Sequence, residues 1–363
     1  MKNMNRRSML KTLGAASVAS PFVFIRSAKA ADDLVVQVGS GDFADAVVRE
    51  YIEPFQKASG LNVKVAKDWM TPAKLKLAVE NKVVETDVSY TGWLQAAQAN
   101  KSGYVEPIDY SIFSKANLDA MPPEAKQPYG VGGYVYSTVI VYDASQFSDP
   151  TKRPKGVAEF WDVAKFPGRR SLKSGVYGSG VYEEALIADG VAIDKLYPLD
   201  IDRAFKSLDR IKPHIKKWWN EGAEGQQLLA DKAVDFGILF SNRASNLQRA
   251  KAPIGIEWNN GKLLVDNWII PKGAPHASNA QRFIEFTTHP DRQAAFATAM
   301  FMSPTNKKAF ETIDPEFAKQ LPTSPENMKV QFVRNDPWYV EAGPDGKTNL
   351  EYLIAFWNKW ITT

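Results

Sequence analysis

The sequence predicts an α/β protein built as two lobes. Three observations carry this: short apolar runs alternate with amphipathic helical patterns from Leu34 onward, glycine and proline punctuate the joints, and the 363-residue chain exceeds what one hydrophobic core usually holds. Strand, helix and strand within the first stretch of this pattern form a βαβ unit, the building block of a parallel sheet.

The elements follow in order. Leu34-Val35-Val36-Gln37-Val38, closed by Gly39, reads as a buried strand. Gly39-Ser40-Gly41-Asp42-Phe43 turns into a helix bearing Ala46, Val47, Tyr51, Ile52 and Phe55, which stops at Ser59-Gly60. Leu61, Val63 and Val65 alternate with polar residues as a second strand. A helix over 74–81, a strand over 86–90 and a helix from Trp93 come next. The Val-, Thr- and Tyr-rich segment 134–142 is a strand expected to cross between lobes. The second set comprises strand 170–173, helices 182–188 and 201–211, strand 215–219, helix 226–230 and strand 234–240. Segment 263–271 then returns to the first lobe, followed by a helix over 277–288.

The N-terminus points to export. Asn5-Arg6-Arg7-Ser8-Met9-Leu10-Lys11, an apolar run over 13–25 and Ala28-Lys29-Ala30 together read as a twin-arginine-like signal, with cleavage expected after Ala30 into the periplasm. The run is shorter than the roughly 20 residues of a membrane span. Residues 1–30 hold six basic residues and no acidic one, so the remainder counts 39 basic against 41 acidic residues, although the whole chain counts 45 against 41. The apparent basicity is that of the signal, which argues against nucleic-acid binding. The absence of cysteine excludes disulfides, and three histidines without cysteine make a zinc or copper site a poor fit. No cofactor is expected.

Several strings, in this order and spacing, resemble the polyamine-type branch of extracellular solute-binding proteins. They are Glu53-Pro54-Phe55 with Gly60, then Gly103-Tyr104-Val105-Glu106-Pro107-Ile108-Asp109, and Phe160-Trp161-Asp162 before Phe166-Pro167-Gly168. Gln227-Leu228-Leu229-Ala230, Ile269-Ile270-Pro271-Lys272-Gly273-Ala274-Pro275 and Ser303-Pro304-Thr305-Asn306 continue the series. The resemblance implies a two-lobed type II periplasmic binding fold with the ligand cleft between the lobes. It also implies a monomer that hands its solute to the inner-membrane permease of an ABC transporter. On this basis residues 31–137 and 270–305 are assigned to the first lobe. Residues 138–269, with a C-terminal packing segment over 306–363, are assigned to the second.

The same resemblance selects the site. Asp266, in Leu264-Val265-Asp266-Asn267-Trp268, matches the position at which the family sets a carboxylate against a ligand ammonium. Arg243, at the start of the helix after strand 234–240, departs from the polyamine binders, since a guanidinium there would repel a dication but would grip a carboxylate with its planar fork. A second departure agrees: where polyamine binders carry acids, this chain reads Tyr177-Gly178-Ser179-Gly180, with Glu183 and Glu184 deferred to a helical first turn. One anionic and one cationic contact suit a zwitterion such as γ-aminobutyrate, the ligand class of a related branch. Phe43, Tyr90, Trp93, Tyr136, Trp268 and Trp219 are the aromatic candidates, all near strand ends. Ser40, Thr91 and Ser179 are neutral candidates, and Glu224 is a further candidate for an amine.

Two other readings are carried. Putrescine or spermidine would fit if Glu183, Glu184 or Glu224 faced the cleft. An exported NAD(P)-dependent oxidoreductase would use Gly39-x-Gly41-x-x-Ala44 after a strand, with Asp68 beyond the second strand as the ribose acid. Against it, Asp42 would set a negative charge beside the pyrophosphate.

Overall fold

The computed structural model describes residues 34–363; the signal and cleavage expected for residues 1–30 lie outside the described residues. Ten strands follow in chain order: β1 Leu34–Gln37, β2 Val63–Ala66, β3 Val88–Gly92, β4 Lys126–Gln127, β5 Gly130–Asp143, β6 Arg170–Lys173, β7 Ile215–Trp219, β8 Phe236–Phe240, β9 Ile254–Ile269 and β10 Phe332–Val333. The sheet runs β2-β1-β3-β9-β5-β8-β6-β7, with β4 paired to β5 and β10 to β9.

The pairing explains the two lobes. β1, β2 and β3 are parallel to one another on one side, and β6, β7 and β8 are parallel on the other. Between them run β5 and β9, 14 and 16 residues long and antiparallel to each other. The near end of β5 meets β9 at Tyr134↔Asp266 and Tyr136↔Leu264, while its far end pairs with β8 at Thr138↔Phe240 through Tyr142↔Phe236. A register irregularity between Thr138 and Ile140 marks the passage from one half to the other. The segment expected to return to the first lobe, 263–271, is the second part of a longer strand, since β9 begins at Ile254. The stretch Glu257-Trp258-Asn259-Asn260-Gly261 is too polar to read as a strand, yet it pairs with β5 at Glu257.

The helix after β1 covers Gly41–Ser59 with a π turn at Val48–Ile52, and Gly60 caps it in the left-handed conformation at φ 72. It buries Ala44, Val47, Tyr51 and Phe55 in the core of the first half, against Leu34, Trp268 and Phe283. In the second half Phe160, Leu172, Leu186, Phe205 and Phe236 form another core. The C-terminal segment packs on both. Ala309, Ile313 and Leu321 lie against Ala294 and Ala297, whereas Trp338, Leu353, Trp357 and Trp360 join the second core.

A buried charge network ties these parts together. Lys262 Nζ on β9 donates to Glu183 Oε2 and Glu184 Oε2, both at 2.9 Å, and Tyr197 and Tyr339 donate to Glu183 Oε1, both at 2.6 Å. Arg334 pairs with Asp336 beside them. These partners, rather than the helix field alone, account for two adjacent glutamates in the first turn of helix Tyr182–Ala188.

Candidate functional site

A cleft of about 410 Å³ opens outside the carboxyl ends of both parallel strand sets, the crevice where open α/β sheets bind ligands. Each half supplies its walls from residues just past a strand. Ser40 and Phe43 follow β1, and Trp69 follows β2. Across the gap, Glu221 and Gly222 follow β7, while Asn242, Arg243 and Asn246 open the helix Ser241–Arg249 that follows β8. Tyr134 and Tyr136 on β5 and Asp266 on β9 form the floor.

The floor is polar on one face and packed with aromatic rings behind. Tyr134 donates to Asp266 Oδ2 at 3.0 Å and Tyr136 to Oδ1 at 3.3 Å. Strand alternation puts both tyrosines, two residues apart, on the face that carries Asp266. Behind them Tyr90 donates to the Asp266 carbonyl at 3.2 Å and stacks on Tyr134 with ring centroids 5.0 Å apart. Phe43 closes on Tyr134 and on Trp69 at 5.7 and 5.6 Å. Asp266 keeps an edge toward the cleft, but its ring-lined surroundings are poorly solvating. Burial therefore pushes its carboxyl up to about 6, with the two tyrosine hydroxyls and Arg334 pulling the other way. Burial and the Asp266 charge hold all three phenols well above their ordinary value, so they remain donors.

Arg243 faces this carboxylate from the other half. It is partly buried, its Nη1 makes only a 3.5 Å contact with Gln226 Oε1, and among the described residues no carboxylate forms an ion pair with it. A guanidinium whose fork is left unpaired at a cleft wall is ready for a carboxylate.

The sequence-selected residues therefore divide. Asp266, Arg243, Ser40, Phe43 and Tyr136 are brought together in the cleft. Tyr90 lies one ring behind it. Trp268 is wholly buried, edge-on to Tyr90 at 4.4 Å, and Trp93 is buried against Tyr129; both are core residues. Trp219 is buried beneath Phe240 at 5.2 Å. Thr91 faces a separate hollow with Met70, Gln95 and Ile269, because strand alternation turns it opposite to Tyr90. Ser179 accepts from Lys173 Nζ in a side cavity, not the cleft. Glu224 pairs with Lys217 at 2.9 Å and accepts from Asn220 N at 3.0 Å, closing its own loop. Sequence reasoning missed Trp69, Tyr134, Asn242 and Glu221. The pattern of residues just past strand ends, applied to β2 and β7, would have found Trp69 and Glu221.

The glycines of the dinucleotide-like string have another explanation. Gly39 takes φ +75, and a Cβ there would lie 2.5 Å from the Trp69 ring, so glycine lets the tryptophan lie over the turn. Asp68, the supposed ribose acid, is engaged by Gln37 and Lys74, both at 2.7 Å.

Comparison with known proteins agrees with this geometry. A family model described as bacterial extracellular solute-binding protein matches residues 50–324. A γ-aminobutyric acid-binding protein of Pseudomonas aeruginosa is 28% identical over 328 residues, covering 89% of this chain and 91% of that protein. Among solved structures, an ABC transporter substrate-binding protein from Bradyrhizobium japonicum superposes with a TM-score of 0.83 at 34% identity, covering 91% of this chain and 99% of that one. A GABA receptor superposes with a TM-score of 0.81 at 33% identity, covering 91% and 97%. The α/β fold with two parallel strand sets facing one cleft, together with a match over most of the chain, shows that this protein belongs to the bacterial extracellular solute-binding proteins.

Proposed function

We propose that this protein is the periplasmic receptor of an ABC importer for a short zwitterionic amino acid of the γ-aminobutyrate class. The observation that carries the reading is the pair of unmatched charges in one cleft: Asp266 on the floor and Arg243 on the opposite wall. A carboxylate held by neutral phenols favours an ammonium, and an unpaired guanidinium favours a carboxylate. A molecule with both, joined by an aliphatic chain, satisfies them together while Phe43 and Trp69 pack the chain. The relatives' ligand supports this choice. The division into lobes belongs to the same proposal, with the first boundary at 137/138 and the second moved from 269/270 to before Leu263, because Asp266 pairs with Gly92 of β3 and so goes with the first lobe. Export by residues 1–30 and hand-over to a permease as a monomer belong to it too.

Calorimetric titration of the mature protein with γ-aminobutyrate and, separately, putrescine tests it. Tight binding of γ-aminobutyrate alone is expected. Tight binding of putrescine alone would overturn the zwitterion reading and point to Glu221, the acidic residue beside Arg243, as the second amine contact.

A further inference from the structure

The wall that carries Arg243 holds more than a guanidinium. Glu221 follows β7 and precedes helix Gly222–Ala230, while Asn242 and Arg243 open the helix after β8. Gly222 brings the two helix starts together: a Cβ there would lie 2.7 Å from the Phe240 ring and 3.5 Å from Arg243 Nε, so Glu221 and Arg243 adjoin on one wall. The Glu221 side chain does not cap its helix and, among the described residues, forms no hydrogen bond or ion pair. Its charge reaches Lys173 behind the wall, but Lys173 Nζ bonds Ser179 Oγ at 2.9 Å and not Glu221. Asn242 is only 6% exposed and lines the cleft, and among the described residues its side-chain amide has no hydrogen-bond partner. A buried amide left in this state at a cleft wall is costly until something in the cleft supplies its partner.

A plain ω-amino acid does not use this corner fully. γ-Aminobutyrate brings one ammonium for Asp266 and one carboxylate for Arg243, and leaves Glu221 beside the ligand's own carboxylate. The charged lining is also unbalanced, with three acids, Asp42, Glu221 and Asp266, against one cation, Arg243. In an α-amino acid the carboxylate and the ammonium sit on one carbon, so a base and an acid that adjoin on one wall can grip both. Glu221 and Arg243 adjoin in that way, and the Asn242 amide beside them can donate to the carboxylate or accept from the ammonium. Resting on the zwitterion reading above, we infer that the preferred solute is a diamino acid. Its α-carboxylate lies on Arg243, its α-ammonium on Glu221 and its side-chain ammonium on Asp266. Glu221 is then the residue that distinguishes it from the ω-amino acid of the same length.

Calorimetric titration of the mature protein with L-2,4-diaminobutyrate and γ-aminobutyrate, which differ only by the α-ammonium, tests it. The diamino acid should bind about tenfold or more tightly than γ-aminobutyrate, the gain of one added charge-assisted pair. Glu221→Gln should reverse the order. It removes the partner of the α-ammonium and also the negative charge beside the ligand carboxylate, so the diamino acid weakens while γ-aminobutyrate tightens. A merely structural effect of the substitution would move both affinities in the same direction. γ-Aminobutyrate bound as tightly as the diamino acid, or a ratio unchanged in Glu221→Gln, would overturn the inference and leave the zwitterion reading standing. Binding of neither compound would overturn both.

Discussion

At the scale of single residues, Asp266 shows how a binding site is held at the expense of stability. An aspartate whose folded value is raised to about 6 from an unfolded value near 4 prefers the neutral form in the native state. The penalty is therefore fully present above about pH 6 and disappears as pH falls through the window between the two values. Asp266→Asn should stabilise the ligand-free protein at pH 7 by on the order of 1–2 kcal/mol after allowing for the exposed edge, seen as a higher Tm, while removing affinity for the solute. In the unaltered protein, affinity for an ammonium ligand should fall toward tenfold per unit below pH 6, since the protonated acid has no charge to offer; a flat pH profile by calorimetry would show that the ligand does not contact Asp266. Arg243→Ala should reduce γ-aminobutyrate affinity by at least about a hundredfold, the loss associated with truncating one side of a charge-assisted pair, and leave any diamine affinity intact. Equal affinity in the variant would remove Arg243 from the site. The placement of both residues in the cleft was legible in the sequence, Arg243 because it directly follows a strand and Asp266 because it matches a family position. Trp93, Trp268 and Trp219 were not, because a tryptophan near a strand end looks the same in sequence whether the ring turns to the core or to the cleft. Only the pleat and the neighbouring rings decide that.

At the scale of elements, the turn after β1 couples backbone conformation to an aromatic wall. Gly39 and Gly41 both take positive φ, +75 and +64, but only at Gly39 would a Cβ meet other atoms, namely the Trp69 ring. Gly41→Ala should then cost only the left-handed backbone penalty, about 1–2 kcal/mol, with little change in ligand affinity. Gly39→Ala should carry the same penalty and also push Trp69 off the turn, so that stability and affinity fall together. Equal losses in both variants, read by thermal melts and titration, would mean that the position of Trp69 does not depend on Gly39. The same turn shows why element type was easier to read than element length. The apolar run Leu34–Val38 and the glycines around Ser40 fixed strand, turn and helix in order. By contrast, the polar first half of β9, where Trp258-Asn259-Asn260 breaks the apolar pattern, offered no period to recognise. Its conformation is imposed by β5 alongside it, a tertiary cause that no local window contains.

At the scale of the whole molecule, the two halves are joined chiefly through β5 and β9, and the proposed ligand contacts are divided between them. Asp266, Tyr134 and Phe43 belong to one half and Arg243, Asn242 and Glu221 to the other. A solute that pairs with both charges binds the state in which the walls are closest better than any state in which they are apart, and differential affinity is the only means by which a ligand shifts such an equilibrium. The last part of the C-terminal segment is anchored in the second half, where Trp338, Trp357 and Trp360 are buried in the core and Tyr339 is bonded to Glu183, so helix Asn349–Trp360 should move with that half. Val340 packs on the first-half cluster around Trp93, and Ala309, Ile313 and Leu321 stay with Ala294 and Ala297. Closure is therefore expected to be a rigid-body rotation about the crossing strands near Thr138 and Lys262, where the register irregularity lies. Small-angle scattering tests this directly: saturating γ-aminobutyrate should lower a radius of gyration of about 20 Å for a compact chain of this length. Arg243→Ala at saturating ligand should bind, if it binds at all, without that decrease, because the Asp266 contact alone engages one half. A decrease of the same size in the variant would show that closure is driven by contacts other than the Arg243 pairing, and the division of labour between the two walls would have to be redrawn around Asn242 and Glu221.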